Sequence, residues 1–120
     1  MVIFLDTYAI VAIDTKSKSY EKYTLEGAST SVFNLAEAYF VYLKNFGKKE
    51  ADEMYETAKE LAVPVDDSII KEAMEFKLRH IKKRLSFADC IGYVTALKLN
   101  AKFLTGDYAF KEMENVEFVK

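Results

Sequence analysis

The sequence is poor in the residues on which many familiar sites are built: it holds one cysteine, one histidine, one proline, four glycines and no tryptophan in 120 residues. A single cysteine, Cys90, excludes an internal disulfide and the paired spacings of zinc knuckles; it reads as a small core residue. The lone histidine, His80, leaves at most a proton shuttle. No glycine-rich turn follows the first apolar run, which removes a dinucleotide-binding fold. No window approaches the eighteen or so apolar residues of a membrane span. The run Met1 to Leu5 has no basic leader and is not expected to be a signal peptide, so the expected address is cytoplasmic. Positive charge is not in excess either, since 17 basic against 19 acidic residues give −2. No global field draws in a polyanion, and a nucleic-acid partner would have to be met by local basic patches or by bound metal.

What is present fits one α/β domain spanning 1–120. Half of the residues are apolar (51%), enough to form a core. Val2-Ile3-Phe4-Leu5 has the pattern of a strand buried on both faces. Tyr8 to Ile13 reads as a short helix, and Ala28 to Val32 as a second strand after Gly27. Asn34 is expected to open a helix through Phe46, with Gly47 closing it. Lys48 to Leu61 should pack on it as a helical hairpin. Ala62 to Val65 is a short extended stretch whose Pro64 suits a strand edge or end. Asp67 or Ser68 should cap a helix to about Leu78, which the basic residues 79 to 85 extend, and Ser86 should start another reaching Leu99. Phe103 to Thr105 and Val116 to Val119 complete five strands. Strands alternating with helices predict a mostly parallel sheet between helical layers.

Most of the 19 acidic residues fall on solvent faces of the predicted helices; four do not. Asp6 ends the first strand, where a lone carboxylate is costly to bury. Asp107 follows the fourth strand within Phe103-Leu104-Thr105-Gly106-Asp107. Glu37 lies in the first turn of the helix after the second strand, and Asp89 in the first turn of the helix opened by Ser86. In a parallel α/β sheet, strand ends and the helix starts that follow them share one edge, where ligands bind. Four acids converging there would repel and raise one another's pKa values. A divalent cation is the ordinary remedy, and oxygen-only ligands suit Mg²⁺ or Mn²⁺. Each acid also has a local role open to it. Asn34-x-x-Glu37 is a capping-box pattern, Ser86-x-x-Asp89 places an acid at N3, and Asp107 beside Gly106 suits a turn.

Phe4-Leu5-Asp6-Thr7, Ala36-Glu37-Ala38, Leu85-Ser86-Phe87-Ala88-Asp89 and Leu104-Thr105-Gly106-Asp107-x-x-Phe110, in this order over the whole chain, resemble the PIN domain, and specifically the short VapC-type toxin ribonucleases of toxin–antitoxin modules. The resemblance implies a three-layer α/β/α fold with a five-stranded sheet of order 3-2-1-4-5. It implies Mg²⁺- or Mn²⁺-dependent RNA hydrolysis, with Asp6 and Asp89 as principal metal ligands. Glu37 and Asp107 would be ligands directly or through water. Thr7 and Thr105 match small polar positions beside these acids, with Ser86 in support. A small antitoxin protein and a homodimer are the partners it implies. The helix that carries Tyr39, Phe40, Tyr42, Leu43 and Phe46 reads as core and hairpin packing, and the resemblance implies that it also forms the antitoxin groove and part of the homodimer interface.

The basic run before Ser86, ending in Lys82, Lys83 and Arg84, reads either as a solvated helix end or as a phosphate clamp for RNA. Tyr8 suits either core packing or stacking on a base. A catalytically silent PIN-like interaction module is the alternative function, and four intact acids speak against it. An aspartyl-phosphatase needs a second Asp where Tyr8 stands. A phospho-receiver needs a neighbouring acid pair, and Asp14 is too far down the helix.

Overall fold

Three residues of the first apolar run, Ile3–Leu5, form strand β1 in the computed structural model, which describes residues 2–120; Met1 of that run lies outside them. Phe4 and Leu5 are both fully buried, although successive strand residues point to opposite faces. Both faces of the sheet are therefore covered. The parallel partner of β1 is β2, Lys102–Thr105, with Leu5 opposite Leu104. Strand β3, Val116–Phe118, pairs in parallel with β2.

Among the described residues the sheet has three strands in the order β1-β2-β3, which corrects the expected five in the order 3-2-1-4-5. The expected second and third strands each shrink to a single parallel bridge, Phe4 with Ser29 and Thr30 with Ala62. The cause is local. Gly27 turns the chain with φ +85°, and Ser31 already caps a helix, so few residues remain between them for pairing. Pro64, lacking an amide hydrogen, cannot extend the second stub.

Among the described residues, five α-helices surround the sheet: α1 (Thr7–Asp14), α2 (Val32–Asn45), α3 (Lys48–Ala58), α4 (Asp67–Arg79) and α5 (Phe87–Leu99). Helix α2 starts three residues earlier than expected: Ser31, not Asn34, is the cap, and its hydroxyl oxygen accepts from the Asn34 backbone amide at 3.1 Å. Gly47 closes α2 as expected, with φ +96° and its N–H donating to the Tyr42 carbonyl. Helix α3 ends at Ala58 in a short 3₁₀ turn. The basic run does not extend α4; residues Ile81–Lys83 tighten into a 3₁₀ turn and Arg84 adopts left-handed φ +56°, which turns the chain into α5.

Helices cover both faces, giving three layers. On one, Phe4 and Phe103 pack with Ile69, Ala73 and Phe76 of α4 and with Ile91 and Val94 of α5. On the other, Leu5 and Leu104 meet Ile10 of α1, Leu35 and Tyr42 of α2, and Met54 of α3. Helix α5 is buried along nearly its whole length, from Ala88 through Ala96, which explains its lack of an apolar stripe. Among the described residues, no helix is long and apolar enough to cross a membrane.

Candidate functional site

Parallel pairing of β1 and β2 brings their C-terminal ends side by side. Asp6 follows β1, and its amide donates to the Leu104 carbonyl of β2; Asp107 stands just beyond the same end of β2. Helix α5 delivers Asp89 at the third position of its first turn. Helix α2 delivers Glu37 from its second turn, not its first, because the helix begins at Val32. All four carboxylates, with Thr7, Ser86 and Arg84, line one cavity of about 700 Å³. Of the other expected residues, Thr105 sits behind Asp6, and Lys82 and Lys83 lie outside this lining. The Lys83 ammonium instead donates to the Ala109 carbonyl.

Each acid is held by at least one hydrogen bond, and for three of them that bond belongs to a cap. Asp6 is the N-cap of α1: Oδ1 accepts from the Ala9 amide at 2.8 Å, and Oδ2 accepts from the Thr105 hydroxyl. Thr105, fully buried, also accepts from the Asp107 amide at 3.0 Å, so one side chain joins two acids. Asp107 Oδ1 caps the following 3₁₀ turn through the Ala109 amide. Ser86 and Asp89 form a reciprocal capping box, with Asp89 Oδ2 accepting from the Ser86 amide at 2.9 Å. Glu37 is the exception; Oε1 accepts from the Thr7 hydroxyl at 2.7 Å. Capping and convergence are thus one arrangement, because helix starts lie at the strand edge where the acids meet.

Asn34 is a positioning residue that sequence reasoning placed in the wrong role. It is fully buried. Its side-chain Nδ2 donates to the Thr7 hydroxyl at 3.3 Å and to the Ala88 carbonyl at 3.4 Å, and its Oδ1 accepts from the Ser31 hydroxyl. It therefore ties α1, α2 and the start of α5 together beneath the acids. Gly92 makes room for it, since a Cβ there would lie 2.8 Å from Asn34 Oδ1 and 3.2 Å from Phe4 Cε1. The Ser31-x-x-Asn34 spacing was the available signal.

The electrostatics are those of a site short of positive charge. Burial pushes the Asp6 carboxyl up to about 7, against the lowering effect of its Thr105 and Ala9 hydrogen bonds, and the charges of Asp89 and Asp107 add to the rise. Asp89 is also raised, first by burial and then by the charges of Glu37 and Asp107, against its Ser86 hydrogen bonds. Among the described residues, no three Asp, Glu, His or Cys side chains stand close enough together to clasp a metal as they are. Their hydrogen bonds hold them singly around the cavity. In chemistry the donor set fits a hard divalent cation: all-oxygen, anionic and mutually repelling. Asp89, Asp107 and Glu37 each use one carboxylate oxygen in a hydrogen bond among the described residues, and the second oxygen is available to a ligand.

A family model described as the PIN domain matches residues 3–116. No curated protein matches the sequence. Among solved structures, the fold is similar to VapC20 of Mycobacterium tuberculosis, a sarcin–ricin loop cleaving toxin, with TM-score 0.77 and 19% identity over 98% of this chain and 99% of that one. It is similar to VapBC2 of Rickettsia felis, solved bound to a DNA fragment from its promoter (TM-score 0.71, 20% identity, 100% of both chains). It is also similar to FitAcB of Neisseria gonorrhoeae (TM-score 0.64, 16% identity, 100% of this chain and 97% of that one).

Proposed function

The chain belongs to the PIN domain family, and from that premise we propose that it is a divalent-metal-dependent endoribonuclease, the toxin of a toxin–antitoxin pair, with residues 1–120 acting as one nuclease domain. The observation that carries this reading is the cavity: Asp6, Glu37, Asp89 and Asp107 come from four separate stretches of chain and line a single space. Asp6 and Asp89 would hold Mg²⁺ or Mn²⁺, with Glu37 and Asp107 completing the ligands directly or through water. When bound, such a cation polarises a phosphodiester oxygen and lowers the pKa of a water ligand. The residues of the chain do the rest. Thr105 and the Ala9 amide hold the Asp6 carboxylate in place, and Ser86 fixes Asp89. Thr7 orients Glu37. Arg84, on the cavity lining, offers a guanidinium to phosphate in a cavity otherwise rich in negative charge.

Partner binding has support on α2, where Phe40 is 61% and Leu43 41% exposed, with Phe46 just beyond at 50%. Such an apolar surface suits a small antitoxin segment or a second copy of the chain. The toxin–antitoxin assemblies among proteins of similar fold, including a complex from Klebsiella pneumoniae, agree with an antitoxin partner.

RNA cleavage tests the proposal. Purified protein should cut single-stranded RNA with Mg²⁺ or Mn²⁺, leave 5′-phosphate ends and stop in EDTA. Asp6→Asn and Asp89→Asn should each abolish cutting. Full activity in EDTA would overturn the metal reading, and absence of cleavage under all metals would favour a silent interaction module.

A further inference from the structure

Three residues of the cavity lining, Tyr8, Tyr108 and Lys120, take no part in holding the acids. The Lys120 ammonium stands 5.1 Å from the Tyr8 ring centroid and 4.8 Å from that of Tyr108, so one cation serves two aromatic rings. Lys111 brings a second ammonium to 5.8 Å from the Tyr108 centroid. Tyr108 follows Asp107 directly and is 61% exposed, yet its ring is steadied against Phe118 at 5.3 Å. The Tyr8 ring lies against Gly106, where a Cβ would meet Tyr8 Cε1 at 2.2 Å; only glycine lets the ring take this place.

The acids beside these rings repel phosphate, so a polyanionic strand entering the cavity needs attachment elsewhere. Exposed rings beside ammonium groups supply that to single strands: the ring stacks on a base and the cation meets the backbone. We propose that Tyr108, with Tyr8 and Lys120, seats one unstacked nucleotide of single-stranded RNA, its base on the Tyr108 ring and a backbone phosphate at Lys120. The proposal rests on the nuclease reading and says how that substrate is held. Paired RNA, whose bases are already stacked, is excluded from the seat.

The test is binding of a fluorescent single-stranded hexaribonucleotide to the full chain at low salt in EDTA, read by anisotropy. The same probe is also made with one abasic position at each site in turn. Tyr108→Ala should weaken binding about ten-fold, within the range for loss of one stacked base, and Tyr108→Phe should bind as wild type. With one particular abasic probe the Tyr108→Ala penalty should vanish. Lys120→Ala should lower the slope of log affinity against log salt by about one. The proposal is overturned if wild-type protein does not bind the probe, if Tyr108→Ala binds normally, or if its penalty persists with every abasic probe. Cleavage separates this from the parent reading. Tyr108→Ala protein that cuts RNA with wild-type KM refutes the seat and leaves the nuclease. Wild-type protein that binds as described but never cuts keeps the seat and refutes the nuclease.

Discussion

Replacing Asp6 by asparagine should stabilise the metal-free protein, which is the opposite of the usual result for altering a buried, hydrogen-bonded residue. Asp6 is 2% exposed, and its carboxyl rises from 3.8 to about 7, mainly through burial and then through Asp89 and Asp107. A rise of that size corresponds to at most roughly 4 kcal/mol against the ionised form in the folded state. The asparagine oxygen can still accept from the Ala9 amide, losing about 1 kcal/mol of charge assistance, but its Nδ2 cannot accept from the Thr105 hydroxyl, which costs about 1–2 kcal/mol more. The net expected gain is about 1–2 kcal/mol, or roughly 3–5 °C in Tm per kcal/mol at this chain length. The sign with pH follows from linkage: a folded pKa above the unfolded one means the ionised form destabilises the fold. Wild type should therefore be the more stable of the two near pH 4, lose that lead between pH 4 and 7, and trail by a constant margin above. Urea or thermal unfolding in EDTA at pH 4.5, 6 and 8 measures this. A variant less stable than wild type at pH 8, or a gap independent of pH, would refute the reasoning.

Gly92→Ala should destabilise by up to about 2 kcal/mol in urea unfolding, because overpacking against the fixed Asn34 and Phe4 (~1–3 kcal/mol) outweighs the helix preference of alanine (~1 kcal/mol); stabilisation would show that Asn34 can retreat. Arg84→Ala should raise KM for RNA, whereas Lys82→Ala and Lys83→Ala should leave it nearly unchanged, since only Arg84 lines the cavity; equal effects of all three in steady-state kinetics would restore the basic run as one clamp. Cys90 is fully buried and should resist a thiol reagent in native protein while reacting at once in urea; rapid native labelling would mean that α5 opens readily.

Much of this arrangement is legible in the sequence because strand-end acids carry a strong signal. Asp6 after four apolar residues and Asp107 after Phe103-Leu104-Thr105 need only parallel pairing to become neighbours. The capping alternatives were legible too, but as rivals to a site, whereas Asp6, Asp89 and Asp107 each cap and face the cavity together. Asn34 was misread because Ser31-x-x-Asn34 and Asn34-x-x-Glu37 are equally good local patterns. The choice between them is made by Thr7 and Ala88, 27 and 54 residues away. The same limit shrank the second strand, since hydropathy does not show that Ser31 is already committed to a helix. Lys120 beside Tyr8 had no local signal at all. The two meet because β3 runs parallel to β1 and β2 and ends at the same sheet edge, with the Tyr8 hydroxyl donating to the Lys120 carbonyl at 3.3 Å.

Direct Mn²⁺ binding, followed by electron paramagnetic resonance of the free ion in the absence of RNA, tests most plainly whether the four acids form one cation site. Wild-type protein should remove Mn²⁺ from solution saturably, with Mg²⁺ competing, and Asp6→Asn and Asp89→Asn should each weaken that binding at least ten-fold. Binding that is unchanged in both variants would contradict the account, and would leave these carboxylates as helix caps that share a cavity.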